Sequence, residues 1–236
     1  MIRASDLEEV EFTDSATIRL ISTAYIDDPA IAPLADDDDD LAMLEEIEGL
    51  TSARKTATLP TPGGMNPAKL LTEADGYGWA YVNAAFCCAR ATGNRFNGPD
   101  RGAWYASYGR AAVETSQAEV AWHLTSELEA TGVFKNVTAY RELLAGFTTR
   151  FHDLSGRTTE GALSSDPSVA YPAGQSLARD VLESGGNGIL YSSARHKKGQ
   201  CLVALRPHLV QNVRQGDVWV FEWAGERTPS IARQSG

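Results

Sequence analysis

The chain has 236 residues, 43% of them hydrophobic and 22% charged, an ordinary globular composition. Its net charge of −10 denies it the overall cationic footprint that gripping a nucleic-acid backbone needs, which argues against nucleic acid as a direct partner. No apolar run approaches the roughly 20 residues of a membrane span, and Asp6, Glu8 and Glu9 stand where an export signal carries its apolar core, so a cytoplasmic protein is expected.

Residues 17–21 are rich in β-branched side chains and predict a short strand. Prolines at 29 and 33 then interrupt regular structure, and a run of acids, Asp36 to Asp40, stands before the apolar stretch 41–47. Those acids suit a helix N-terminus better than a divalent-cation loop, because cation loops interleave their ligands with turn residues such as glycine. Residues 51–75 read as a Pro/Gly loop that packs on something through Met65, Leu70 and Leu71. Residues 76–90 are apolar and aromatic without a clean period, which leaves strand and helix both open.

Residues 103–107 predict a short strand after the Gly98–Pro99 turn. Residues 112–130 are the best helix in the chain: Val113, Val120, Leu124 and Leu128 form one stripe, and Gly132 stops it. Two β-like runs follow at 133–144 and 147–154, then a polar loop over 155–168 and a short helix over 176–184. Residues 189–192, 201–205 and 218–223 predict strands, the last with Trp219, Phe221 and Trp223 alternating against polar or smaller neighbours. The order is α+β, with neither βαβ alternation nor a GxGxxG turn. Three cysteines, two of them adjacent, make no disulfide framework, and no His/Cys cluster has metal-ligand spacing, so no metal site is expected.

Two stretches concentrate the chemistry. Arg95 leaves a Gly-Asn turn, and its planar guanidinium fork suits phosphate oxygens. Tyr105 offers a face for stacking and a hydroxyl. On the helix, Glu119 and His123 are four residues apart and share a face, whereas Glu114 turns away. Ser193 stands at a strand end before Arg195 and His196. Each has a plainer alternative: a surface ion pair for Arg95, the core for Tyr105, a solvated helix face for Glu119 and a turn for Ser193. A serine-hydrolase reading of Ser193 fails because no GxSxG elbow surrounds it.

With these residues in place, the chain resembles the RES-domain family, named for an arginine, a glutamate and a serine. They correspond to Arg95 in GNRFN, Glu119 in ETSQAEVAWH and Ser193 in GILYSSARHKKGQCLVALRP, with Tyr105 the pocket tyrosine. The likeness extends over residues 16–227, through YPAGQSLARDVLESGGNGILY and QNVRQGDVWVFEWAGER. Ser192 stands where the family often has proline or aspartate, which leaves open which serine faces inward.

The resemblance implies an α+β fold similar to ADP-ribosyltransferases, a pair of small twisted sheets flanked by helices, with an N-terminal extension. Residues 1–75 would be an elaboration packed on the core, 76–228 the NAD-binding catalytic core and 229–236 a tail. It implies an NAD-consuming toxin that cleaves the nicotinamide–ribose bond by hydrolysis or phosphorolysis. The alternatives are a transferase of ADP-ribose to protein and a non-catalytic NAD-binding module. NAD would be the substrate, with no separate cofactor. Arg95, Tyr105, Glu119 and Ser193 would carry the reaction, and Arg95, Tyr105, Ser193 and Asn97 would bind NAD. The implied partner is a protein antitoxin or immunity protein, and a homo-oligomer is left open.

Overall fold

A computed structural model describes residues 2–23, 63–157 and 161–234. The acid run at 36–40 and the helix expected after it lie outside these residues. Seven strands form one hydrogen-bonded sheet: β1 (Glu8–Ser22), β2 (Trp104–Tyr108), β3 (Lys135–Asp153), β4 (Gly188–Ser192), β5 (Gln200–Ala204), β6 (Gln211–Ala224) and β7 (Ser230–Arg233). The helices are α1 (Trp79–Cys87), α2 (Ala112–Thr131) and α3 (Pro167–Glu183).

The sheet order is β1-β2-β5-β4-β3-β6-β7, and β1 pairs with β3 as well as β2. Five strands therefore close into a ring, with β6 and β7 as a wing. Strand β3 makes this possible by its length of 19 residues. One edge pairs antiparallel with β1, from Glu8↔Asp153 to Ser22↔Tyr140. The other edge pairs with β6 along its first part, and at His152 and Asp153 runs parallel to β4. The two small twisted sheets expected are two wings of this one sheet, β2-β5-β4 and β1-β3-β6-β7. They meet at Ile18↔Ser107 on one side and at the β3–β4 contact on the other.

Burial explains the layers. On β5, Leu202 and Ala204 face one core with Phe86, Trp104, Leu143 and Phe147, while Cys201, Val203 and Leu205 face a second with Phe96, Leu177 and Val181. A strand covered on both faces reads as a continuous apolar run. Helix α3 seals the second core. Helix α2 closes a third, where Val120, Leu124 and Leu128 pack toward Leu20, Phe221 and Trp223.

Several boundaries differ from the sequence expectation. Strand β1 runs from Glu8 rather than residue 17, so this part of the N-terminal stretch is a member of the sheet. The two β-like runs at 133–154 are one strand, β3, whose pairing with β6 shifts register between Arg141 and Leu143 and again between Leu144 and Gly146. The undecided stretch at 76–90 holds α1. Helix α3 begins nine residues before the expected start at 176, capped by the Asp166 side chain with Pro167 in its first turn. The stretch read as a tail carries β7, paired to β6 from Trp219↔Arg233 to Glu222↔Ser230. Among the described residues no helix is long and apolar enough to cross a membrane.

Candidate active site

A cleft of about 540 Å³ lies between α2 and the sheet and is within the size range of small-ligand sites. Arg95 reaches it from a tight loop. Gly93 takes a left-handed φ of 67°, and Asn94 N–H donates to Asn97 O at 2.8 Å, closing the turn. An added Cβ on Gly93 would lie 2.1 Å from Asn97 O, so the turn needs glycine. Arg95 is 8% exposed, and its Nη1 donates to Ala162 O at 2.6 Å and Ser164 O at 3.0 Å. One corner of the guanidinium is thus spent holding the 161–164 turn.

Tyr105 lines the cleft from β2, but its hydroxyl is committed inward. It donates to Asn97 Oδ1 at 2.8 Å and accepts from Phe96 N–H at 2.9 Å. Burial pushes the phenol well above its ordinary pKa. Asn97 is 3% exposed and is not among the cleft-lining residues. Its Nδ2 donates to Gly98 O and Arg101 O, so it braces the loop and the tyrosine.

Glu119 enters the cleft from α2, which Ser116 ties to β1 by donating to Ile18 O at 2.9 Å. Ser193 Oγ donates to Glu119 Oε1 at 2.6 Å and accepts from Arg195 N–H at 3.1 Å and His196 N–H at 2.9 Å. Ser192 instead donates to Ser155 O at 2.7 Å. Ser193 is therefore the serine that faces the glutamate. One turn before Glu119, Thr115 Oγ1 donates to Ala111 O, so its 2.8 Å contact with His196 uses the Nδ1–H tautomer as donor. This contact clamps the 193–199 loop to α2. Glu114 is exposed, as its phase on the helix requires.

Sequence reasoning missed part of the lining. Arg19 on β1 donates to Tyr105 O at 3.2 Å and lies 5.1 Å from the Trp104 ring centroid. Burial brings its pKa down to about 10, partly offset by Tyr105. The guanidinium of Arg195 sits 3.5 Å over the Trp122 ring, with Nη1 donating to Ser165 O at 2.8 Å. Tyr171 on α3 is also in the lining. Nothing local in the sequence marks Arg19, whereas Arg195 stood within the Ser193 stretch. His123 lines the cleft too, and burial, with Arg90, Arg195 and Arg95 nearby, lowers its pKa to about 4. Cys201 packs at the cleft with its thiol pushed up to about 12 by burial, an inert small hydrophobe.

The result is a cleft with four guanidinium groups, aromatic faces and two carboxylates: Glu127 paired with Arg90, and Glu119 held by the Ser193 hydroxyl. It defines a class by its form: an α+β protein with a cleft in which guanidinium groups and aromatic faces stand beside an acid. A family model of the RES domain matches residues 71–224, and the chain belongs to that family. It is similar to a chain in the crystal structure of the M. tuberculosis MbcT–MbcA toxin–antitoxin complex. That likeness has a TM-score of 0.44 and 13% identity, covering 89% of this chain and 85% of the other. No curated protein matches the chain significantly.

Proposed function

We propose that this protein consumes NAD by breaking the nicotinamide–ribose bond, with water or phosphate taking the ribose. The observation that carries this reading is the 2.6 Å bond by which Ser193, itself outside the cleft lining, holds Glu119 in a cleft that Arg19, Arg95 and Arg195 also line. Nicotinamide leaves as a neutral ring, so no strong general acid is required. The site must instead stabilise an oxocarbenium-like ribose, and a carboxylate oriented before reaction does this without reorganising.

Glu119 holds the ribose hydroxyls and places negative charge near the cation, while Ser193 fixes the carboxylate. Arg95 has N–H groups beyond its two carbonyl partners, and with Arg19 and Arg195 it supplies cationic forks for the diphosphate. The Tyr105 face bounds a ring, its hydroxyl being occupied. Binding of the diphosphate and adenine then orients the reacting end. An enzyme of this kind in the cytoplasm must be restrained in its host, and the reading includes a toxin role with a protein antitoxin or immunity protein that blocks the cleft.

Purified protein incubated with NAD, with and without phosphate, and read by mass spectrometry should release nicotinamide together with ADP-ribose or its 1-phosphate. Glu119→Gln should lower turnover about 10²- to 10⁴-fold at unchanged melting temperature. Full NAD consumption by that variant would overturn the assignment. ADP-ribose appearing only on protein would establish the transferase reading, and NAD binding without nicotinamide release the binding-module reading.

A further inference from the structure

A second cavity of about 230 Å³ shares no lining residue with the cleft. It is walled by Gly64, Met65, Asn66 and Lys69 on one side, Leu182 on another, and Arg101, Leu205, Arg206 and Pro207 on the third. Among the described residues three cations line it and no carboxylate does, in a chain whose net charge is −10. Such a concentration against the overall sign calls for a counter-charge.

The two arginines are held in place by backbone carbonyls. Arg101 Nη2 donates to Leu205 O, and Arg206 Nε donates to Gly186 O at 3.0 Å. Neither guanidinium forms an ion pair among the described residues. Arg101 Nε is buried and has no hydrogen-bond partner among the described residues. A buried N–H left in that state is unfavourable, the more so on a charged group. Burial lowers the pKa of Arg101; Asp100 offsets this in part, and nearby Arg206 adds to the lowering. Asp100 itself is exposed and outside the lining. Met65 at 6% and Leu205 at 1% exposure give the cavity an apolar floor that strengthens charge interactions.

We propose that this cavity is a binding site for a phosphate group, gripped by Arg101 and Arg206 with Lys69 at its mouth. Anchored forks match tetrahedral oxyanions, and the space, equal to about eight waters, takes a phosphate or the phosphate end of a small monoester. The site ties the 64–69 segment to the C-terminal end of α3 and to the turn after β5, away from the cleft. It stands whether or not the cleft acts on NAD.

Inorganic phosphate titrated calorimetrically into the full chain, in chloride buffer at fixed ionic strength, tests this. Arg101→Gln and Arg206→Gln are expected to weaken one binding event at least tenfold, and the exposed Lys69→Gln about threefold. Arg95→Gln, which alters the cleft, should leave that event unchanged. Circular dichroism checks folding, and Lys69→Gln keeps the test valid should an arginine variant fail to fold. Phenyl phosphate in place of phosphate distinguishes the sources: equal affinity marks a monoester site, and weaker affinity a site for free phosphate. The proposal is overturned if phosphate does not bind, if all three cavity variants bind it as the parent does, or if only Arg95→Gln abolishes binding.

Discussion

Ser192 and Ser193 are neighbours with different duties. Ser193 organises three groups at once, the Glu119 carboxylate and the N–H groups of Arg195 and His196. Replacing it by alanine frees the carboxylate and leaves two backbone donors without that acceptor. Ser193→Ala should therefore lower nicotinamide release about 10- to 100-fold and reduce stability by about 1 kcal/mol. Ser192→Ala, losing one bond to Ser155 O, should keep turnover within about threefold. Measured side by side by nicotinamide release and urea unfolding, the pair separates an oriented carboxylate from a general loosening of the strand end. Equal turnover losses would remove Ser193 from its role. At the same scale, Arg95 and Tyr105 each have a structural bond beside their place in the cleft, so a variant of either removes support as well as contact.

Among the elements, α3 packs directly against the site loop. Gly174 brings the helix so near that an added Cβ would sit 2.1 Å from Arg95 O and 3.2 Å from Phe96 Cδ1. Gly174→Ala must push helix and loop apart, with an expected cost of about 2–3 kcal/mol in urea unfolding and weaker NAD binding by calorimetry. A melting point and affinity equal to the parent's would show that the loop yields freely. The same helix shows where sequence reading stops. Its second half carries Leu177, Val181 and Leu182 at helical spacing and was legible, whereas Pro172 and Gly174 disguise the first half. Helix α2 was legible for the opposite reason, an apolar stripe with a glycine stop: Gly132 takes a left-handed φ of 69°. The bond from Ser193 to Glu119 came only with the structure, whereas the singling out of Arg95, Glu119 and Ser193 followed from family motifs. Arg19 did not, because a cation on a β-branched strand signals nothing until β2 lies beside it. Nor did β7 or the unbroken course of β3, since pairing partners and register are tertiary facts.

For the molecule as a whole, the burial of His123, with cations nearby, has a consequence in pH. Its folded pKa, about 4, lies below the ordinary histidine value near 6.5, so the unfolded chain binds the extra proton more readily. The neutral ring costs nothing above that ordinary value. Below it the fold loses stability progressively, until the ring protonates in place near pH 4. This contribution is on the order of 2 kcal/mol after allowance for partial exposure. Urea unfolding between pH 7 and 4.5 should show the decline, and His123→Gln should flatten it; an identical slope in both proteins would assign the loss to other groups.

The closed pairing of five strands has one more implication. The residues around the cleft begin on the first strand, at Ile18, and do not end until Cys201 on the fifth. No fragment shorter than that span contains the hollow, and the seam between β1 and β3 joins positions more than a hundred residues apart. The cleft therefore cannot be assembled by degrees as the polypeptide emerges. A product that stops short of Cys201 lacks part of the lining, and the hollow is complete only when the opening strand and its distant partner are joined.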